Sequence, residues 1–309
     1  MALLFSSRFH DPEVWRTALT VHIPDLEMRV WPDAGDPLEI DAALVWGPKR
    51  GELKYYPNLR VIISMGAGVE HILRDSDLPA NVPIVRTFDP HMQGAMVEYV
   101  VLHVLRHHRH MPEIVENQRR GEWVKYGPED TPGTTVGIMG LGAFGAPPAQ
   151  ALDAIGFRVV GWSRTDKEFS GVESFVGEAG LSDFLAQSNI LVCLLPLTPE
   201  TEGIINASLL EQLPPGACVI NAARGGHLVE EDLLAALDSG HIKAATLDVF
   251  REEPLPADNP FWSHPKVTIT PHNASDPHPR WVAGIIAENL RRAREGSDLL
   301  NVVNLSHGY

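Results

Sequence analysis

The run Gly137-Ile138-Met139-Gly140-Leu141-Gly142-Ala143-Phe144-Gly145 constrains this chain more than any other stretch. It opens in an apolar strand, Val136 to Met139, and closes on Gly140, Gly142 and Gly145 in G-x-G-x-x-G spacing. In a strand–turn–helix unit the three glycines have separate tasks: a tight turn, close backbone approach to a pyrophosphate, and close packing of helix on strand. The helix that follows offers amide N–H groups and a positive dipole end to phosphates. A chain with 26 glycines can produce such spacing by accident. The strand before it and the helical segment after it give the fingerprint its weight, and they imply a parallel α/β sheet that binds a dinucleotide.

About twenty residues further on, a site for NAD usually places a carboxylate against the ribose 2′-hydroxyl. Here the next strand, Arg158 to Trp162, delivers Ser163-Arg164-Thr165, with Lys167 close behind. A carboxylate would repel a 2′-phosphate, whereas a hydroxyl, a guanidinium and an ammonium bind one through charge-assisted hydrogen bonds. NADP(H) is therefore expected over NAD(H), with Asp166 as the residue that could reverse the preference.

At 309 residues the chain exceeds the usual single core, so two domains are expected. Apolar runs at Leu3–Phe5, Glu27–Val30, Ala42–Trp46, Val61–Met65 and Ile84–Val85 alternate with helical segments such as Val14–Ala18 and Val69–Leu73. A second series places strands at 135–140, 158–162, 190–195, 217–221, 244–248 and 267–269, with helices at Leu181–Ala186 and Glu230–Leu237 between them. The fold class expected is α/β: two Rossmann-like doubly wound parallel-sheet domains with a cleft between them. Residues 1–98 with about 280–309 form the expected substrate-binding domain, and 99–279 the NADP-binding domain. A long helix from Met96 is expected to run on through charged residues to Arg120 as a connector and arm.

The net charge of −15 disfavours nucleic acid and acidic membrane surfaces as partners. No run of eighteen apolar residues suggests a membrane span, and the apolar Met1–Ser6 segment reaches Arg8 at once, as a first strand does and a signal peptide does not. Cys193 and Cys218 lie in apolar strand-like runs without metal spacing, as expected of buried thiols in a cytoplasmic protein. His103, His107, His108 and His110 invite a metal, but no cysteine or convergent carboxylate accompanies them. Packing or an oligomer interface explains them better, and no metal is expected.

With a negative overall field, an anionic substrate needs local positive charge. Arg224 supplies it in Asn221-Ala222-Ala223-Arg224-Gly225-Gly226, directly after the strand at 217–220. Glu253 follows another strand in Asp248-Val249-Phe250-Arg251-Glu252-Glu253-Pro254-Leu255-Pro256, and His272 follows a third in Thr270-Pro271-His272-Asn273-Ala274. All three fall at C-terminal ends of parallel strands, where open α/β sheets bind ligands. Arginine can hold a carboxylate bidentately and polarise the adjacent carbonyl. Histidine can deliver a proton to a developing alkoxide, and a neighbouring glutamate orients it. With hydride from a nicotinamide, the reaction that uses all of these is reduction of a 2-oxo acid to a 2-hydroxy acid. Taken singly, each residue also suits a structural role.

Segments 136–145, 217–226, 244–256 and 267–274 together resemble the D-isomer-specific 2-hydroxyacid dehydrogenase family, whose N-x-x-R-G, D-V-F-x-x-E-P-L and T-P-H motifs match at Arg224, Glu253 and His272. Ala43–Trp46, Gly66-Ala67-Gly68-Val69, Trp162–Thr165, Leu195–Thr201 and the terminal Gly308-Tyr309 resemble its bacterial glyoxylate/hydroxypyruvate reductase A branch. The resemblance implies catalysis by Arg224, Glu253 and His272, with the amides of Gly68 and Val69 receiving the substrate carboxylate beside Arg224 and Trp46 walling the pocket. It implies cofactor contacts from Gly140, Gly142, Ala143, Phe144, Gly145, Ser163, Arg164, Thr165 and Lys167, and from Leu195, Pro196, Thr201, Ala222, Ala223, Asp248 and Ala274. It also implies a homodimer, with the 103–125 stretch as its arm.

Two departures stand out. Pro147-Pro148 replaces helix-compatible residues, so a helix beginning near Ala143 would start irregularly. Asn273 follows His272 where a small apolar residue is usual. Kinase, Walker A and serine-hydrolase signatures are missing. The expected function is NADPH-dependent reduction of small 2-oxo acids, glyoxylate and hydroxypyruvate foremost. The alternatives are an NAD(H)-sensing regulatory protein of the same fold, and a dehydrogenase for a larger 2-hydroxy acid such as phenyllactate.

Overall fold

A computed structural model describes residues 2–305; the Gly308-Tyr309 pair lies outside them. The chain divides into two compact units, one comprising residues up to Met92 together with those from Asp276 onward, the other Gln93–Ser275.

The first unit is built on five parallel strands: β1 (Ala2–Ser7), β2 (Met28–Val30), β3 (Ile40–Trp46), β4 (Val61–Ser64) and β5 (Ile84–Val85), in the order β2-β1-β3-β4-β5. The order reverses between β1 and β3, so the crevice where open sheets take ligands lies beyond Ser7 and Trp46. Helix α1 (Pro12–Thr20) starts where Asp11 accepts the Glu13 amide at 2.9 Å and Pro12 takes the first helical position. The chain returns as α6 (Pro279–Glu295), which packs on α1 and β4. Its Arg294 donates through Nε at 3.0 Å to Asp41, a buried carboxylate on β3, which ties the returning helix to the sheet.

The second unit has seven parallel strands: β6 (Thr135–Met139), β7 (Arg158–Ser163), β8 (Val172–Val176), β9 (Ile190–Cys193), β10 (Ala217–Asn221), β11 (Ile242–Leu247) and β12 (Val267–Ile269). Their order is β12-β11-β10-β9-β6-β7-β8. Alternate residues enter different cores: Ile138, Ile190, Val192, Cys218 and Ile220 on one face, Met139, Leu191, Cys193, Ala217 and Val219 on the other. Both faces are covered, which is why these strands read as unbroken apolar runs. Both sheets are doubly wound in the Rossmann manner, and the fingerprint turn leaves β6 at the switch point between β6 and β9.

Three local expectations change. The long helix is two: α3 (Pro90–His108) begins before Met96, where Asp89 accepts the Met92 amide at 2.9 Å, and α4 (Met111–Arg120) follows a break. Pro112 cannot donate to a carbonyl one turn back, so the chain turns at His110, which has φ 54°. Strand β8 was not expected; it is a short, half-exposed edge strand, Val172-Glu173-Ser174-Phe175-Val176, with no regular alternation of polarity. Finally, α5 (Ala146–Ile155) starts after Gly145 and not at Ala143. Helical turning nevertheless precedes it, since Gly145 has helical φ and ψ and Ala146 donates to Gly142 O at 3.0 Å. Pro147 and Pro148 cannot donate to the Ala143 and Phe144 carbonyls, so the helix begins irregularly, as expected.

No helix among the described residues is long and apolar enough to cross a membrane.

Candidate active site

Gly140 turns the chain at φ 100°, and its amide donates to Trp162 O at 2.8 Å. A Cβ on Gly145 would stand 1.7 Å from Gly140 O, so nothing larger than glycine closes this turn. Around Gly142, by contrast, a Cβ would meet no atom within 4 Å. Gly142 and Ala143 are exposed, and their amides donate no hydrogen bond among the described residues. Gly145 and Ala146 donate to Gly142 O, while Pro147 and Pro148 have no N–H to give. The turn thus presents unpaired donors on an open face, ahead of a helix N-terminus, and it fits a pyrophosphate. Phe144 is half-buried against the core beneath.

At the end of β7, the Ser163 hydroxyl donates to Thr165 O at 2.6 Å and shapes the loop. Arg164, Thr165, Asp166 and Lys167 are exposed there. Beyond β9, Leu195 is buried, and the Thr201 hydroxyl donates to Pro196 O at 2.7 Å, closing that loop on itself. Ala222 and Ala223 are buried just past β10.

The three chemical side chains follow three adjacent strands, β10, β11 and β12. Arg224 is extended, its carbonyl accepting from Asn221 Nδ2 at 3.0 Å and its Nη1 donating to Ala223 O at 2.7 Å. Glu253 accepts the Phe250 amide on Oε1 at 2.9 Å, and its Oε2 stands 2.7 Å from His272 Nδ1. Burial pushes the Glu253 carboxyl up, but the bond to His272, the Phe250 amide and the charge of Arg224 outweigh it and hold the group below the usual carboxylate range. An ionised carboxylate only accepts, so Nδ1 carries a hydrogen and Nε2 is the nitrogen left for other partners.

His272 itself sits at φ 54°, with its amide 2.8 Å from Asp248 O. Asp248, 1% exposed, uses both carboxylate oxygens on this loop: Oδ1 accepts from Thr270 Oγ1 at 2.6 Å and the Asn273 amide at 3.0 Å, and Oδ2 from the Ala274 amide at 3.0 Å. These bonds offset the cost of a left-handed non-glycine residue at the position that aims His272.

In the first unit, Trp46 ends β3 with its ring 4.4 Å from that of His71. Val69 precedes the short helix α2 (Glu70–Leu73), and neither the Gly68 nor the Val69 amide donates a bond among the described residues.

The histidines of α3 are absorbed by packing. His107 Nε2 lies 2.9 Å from Thr246 Oγ1, His108 Nε2 3.1 Å from Thr131 Oγ1, and His103 stacks beside Tyr99. Burial, aided by nearby positive charge, pushes His103 and His107 down to about 4, so both stay neutral. Among the described residues no three His, Cys, Asp or Glu side chains are grouped to hold a metal ion.

Residues 101–274 match the family model for the NAD binding domain of D-isomer specific 2-hydroxyacid dehydrogenases. The chain belongs to that family. It is 43% identical to glyoxylate/hydroxypyruvate reductase A of Photorhabdus laumondii and 42% identical to that of Serratia proteamaculans, each alignment covering all of both proteins. It also superimposes on a D-isomer specific 2-hydroxyacid dehydrogenase from Xanthobacter autotrophicus crystallised with NADPH and MES. There the TM-score is 0.95 at 45% identity, over 100% of this chain and 99% of the other. The NADPH-dependent glyoxylate/hydroxypyruvate reductase of Sinorhizobium meliloti, crystallised with NADP and sulfate, matches with a TM-score of 0.93 at 37% identity over the whole of both chains.

Two residues of this 2-hydroxyacid dehydrogenase escaped sequence reasoning. Tyr99 lies 2.7 Å from Thr270 Oγ1, whose own hydrogen goes to Asp248, so the phenol donates and extends the support of the His272 loop. His227 has no exposed surface; Nδ1 lies 3.0 Å from Arg224 O and Nε2 3.2 Å from Pro196 O, joining the loops after β9 and β10. Its position just past Arg224-Gly225-Gly226 was the available signal.

Proposed function

We propose that this protein is an NADPH-dependent reductase of small 2-oxo acids, glyoxylate and hydroxypyruvate foremost. The observation that carries the reading is the 2.7 Å Glu253–His272 pair, two strand ends from Arg224 in the sheet that bears the fingerprint turn. The names of the full-length relatives agree with it. NADPH, when bound, supplies the hydride that reduces the carbonyl carbon. The amides of Gly142 and Ala143 receive its pyrophosphate, with Gly140, Phe144 and Gly145 forming the turn around it. Arg164, Thr165 and Lys167 receive its 2′-phosphate, on a loop that Ser163 shapes through its bond to Thr165 O. Leu195, Pro196, Thr201, Ala222, Ala223 and Ala274 line its remaining length, with Asp248 fixing the loop that ends in Ala274.

Arg224 pairs with the substrate carboxylate and draws electron density toward it from the neighbouring carbonyl. His272, protonated on both nitrogens, gives its Nε2 proton to the carbonyl oxygen as charge develops there. Glu253, kept ionised, holds the Nδ1 hydrogen and stabilises the imidazolium before the transfer. In the first unit, Gly68 and Val69 offer amides to a carboxylate, and Trp46 limits the size of the group attached to the oxo carbon.

A homodimer built on the 103–125 arm fits the apolar surface of that stretch, where Trp123 is 92% exposed beside Met111, Ile114 and Val124. A cytoplasmic location fits two buried, unpaired cysteines.

Initial rates with NADPH and with NADH, measured on glyoxylate, hydroxypyruvate, pyruvate and phenylpyruvate, test the reading. Turnover on a small 2-oxo acid with NADPH preferred is expected. Nucleotide binding without turnover on any of the four refutes it.

A further inference from the structure

Trp46 is held on three sides. The His71 ring lies 4.4 Å away, tilted by 51°, and the His10 ring meets the indole edge-on at 6.2 Å. On the third side is Gly66, where a Cβ would stand only 2.9 Å from indole Cζ3. An indole enclosed in this way changes rotamer only if one of these neighbours gives way.

His71 also forms a directed hydrogen-bond chain. Its Nδ1 accepts the amide hydrogen of Gly47, the residue after Trp46, at 3.1 Å. A nitrogen that accepts carries no proton, so the ring hydrogen is on Nε2. Nε2 faces Ser64 Oγ at 3.3 Å, and that hydroxyl donates its single hydrogen to Gly68 O at 2.8 Å. Ser64 Oγ is therefore the acceptor toward His71. The chain runs from the corner at Trp46–Gly47, through one tautomer of one imidazole, to the loop that presents the Gly68 and Val69 amides.

We propose that His71 is the positioning residue that holds Trp46 and the Gly66–Val69 loop in a single arrangement, and so sets the preference for small 2-oxo acids over bulky ones. The proposal rests on the assignment above of Trp46, Gly68 and Val69 to the substrate. His71 touches no reacting atom in this role. It acts by keeping the pocket wall from yielding to a larger side chain, and by keeping two amide donors aimed.

Three variants separate the possibilities. His71→Leu fills the ring's space without hydrogen bonds, His71→Asn places a carbonyl oxygen near the position of Nδ1, and Trp46→Ala opens the wall directly. Each is assayed for kcat and KM with NADPH on glyoxylate and phenylpyruvate, and 15N–1H spectra of the unliganded protein report the histidine tautomers. His71→Leu is expected to raise the glyoxylate KM about 10-fold with kcat within about 3-fold, as loss of ground-state positioning does. It should also narrow the glyoxylate-to-phenylpyruvate ratio of kcat/KM, leave the NADPH KM unchanged, and remove one Nε2–H signal present in the native protein. His71→Asn should recover part of the loss, through the restored Gly47 bond alone.

Leu and Asn variants that behave alike, whether both native or both impaired, overturn the hydrogen-bonding role even where Trp46→Ala changes the ratio. If Trp46→Ala leaves the ratio intact, the reading of Trp46 as pocket wall fails, and this proposal fails with it.

Discussion

At the ends of β10, β11 and β12 the candidate chemistry belongs to side chains. At the ends of β3 and β4 it belongs to amide groups and one clamped ring. Arg224, Glu253 and His272 are each of a type that few structural positions require, and two of them are joined at 2.7 Å. Gly68 and Val69 offer only backbone N–H groups, and Trp46 only a surface. The contrast separates two kinds of candidate anion site: charge and proton supply in one unit, shape and neutral donors in the other. It also separates what mutation can remove. A side chain can be deleted, whereas an amide can only be displaced through what holds it.

The side-chain half breaks most visibly at His272. His272→Gln is expected to lower kcat by about 10² to 10⁴, the usual worth of a positioned proton donor, while NADPH binding measured by fluorescence titration stays unchanged. A kcat within tenfold of the native value would move proton supply to another group and undo the contrast. Arg224→Ala should follow, with kcat/KM down about 10² to 10³, because a carboxylate left without its partner keeps its desolvation cost. Arg224→Lys should recover only part of this, since an ammonium cannot reproduce the bidentate fork. Steady-state rates at saturating NADPH measure both.

The same contrast explains what could be read from sequence. The central strands of the second unit were legible because both faces are buried, so Ile190–Cys193 carries no polar residue and Ala217–Asn221 only the asparagine at its end. Strand β8, an edge strand with no fully buried residue, hides because Val172-Glu173-Ser174-Phe175-Val176, between Gly171 and Gly177, is neither an unbroken apolar run nor an alternating one. The break before α4 was signalled by Pro112 and overlooked because the charged pattern continues past it. At the candidate site, Arg224, Glu253 and His272 stand out by residue type near strand ends. Tyr99, Thr270 and His227 do not, because they act through bonds to other residues across long sequence separations. Even Asp248, visible in its motif, gives no hint in sequence that its carboxylate holds Thr270, Asn273 and Ala274 together.

A smaller effect is expected at the exposed loop after β7, where charges are hydrated and each contact counts for less. Arg164→Ala should raise the KM for NADPH about tenfold, the worth of one charge-assisted bond, and leave the KM for NADH where it was. An equal rise for both cofactors would place Arg164 on a part of the nucleotide that the two share.

The smallest expected effect concerns pH and tests whether the Glu253–His272 pair belongs to the folded state before substrate arrives. The carboxyl of Glu253 is held below its ordinary value of 4.5, because His272, the Phe250 amide and Arg224 together outweigh the opposing effect of burial. A group whose folded pKa is depressed stabilises the fold fully above its unfolded value and loses that contribution as pH falls through the folded one. Thermal unfolding of the native protein and of Glu253→Gln should therefore differ most above pH 4.5 and converge below it, since glutamine does not titrate. Because the pair is a third exposed, the difference in Tm should be small and should shrink further in salt. A Tm difference that is flat across this range would mean that Glu253 is not engaged in the free protein. The pair would then form only with ligand bound, and the preorganisation of the side-chain cluster would have to be supplied by the substrate.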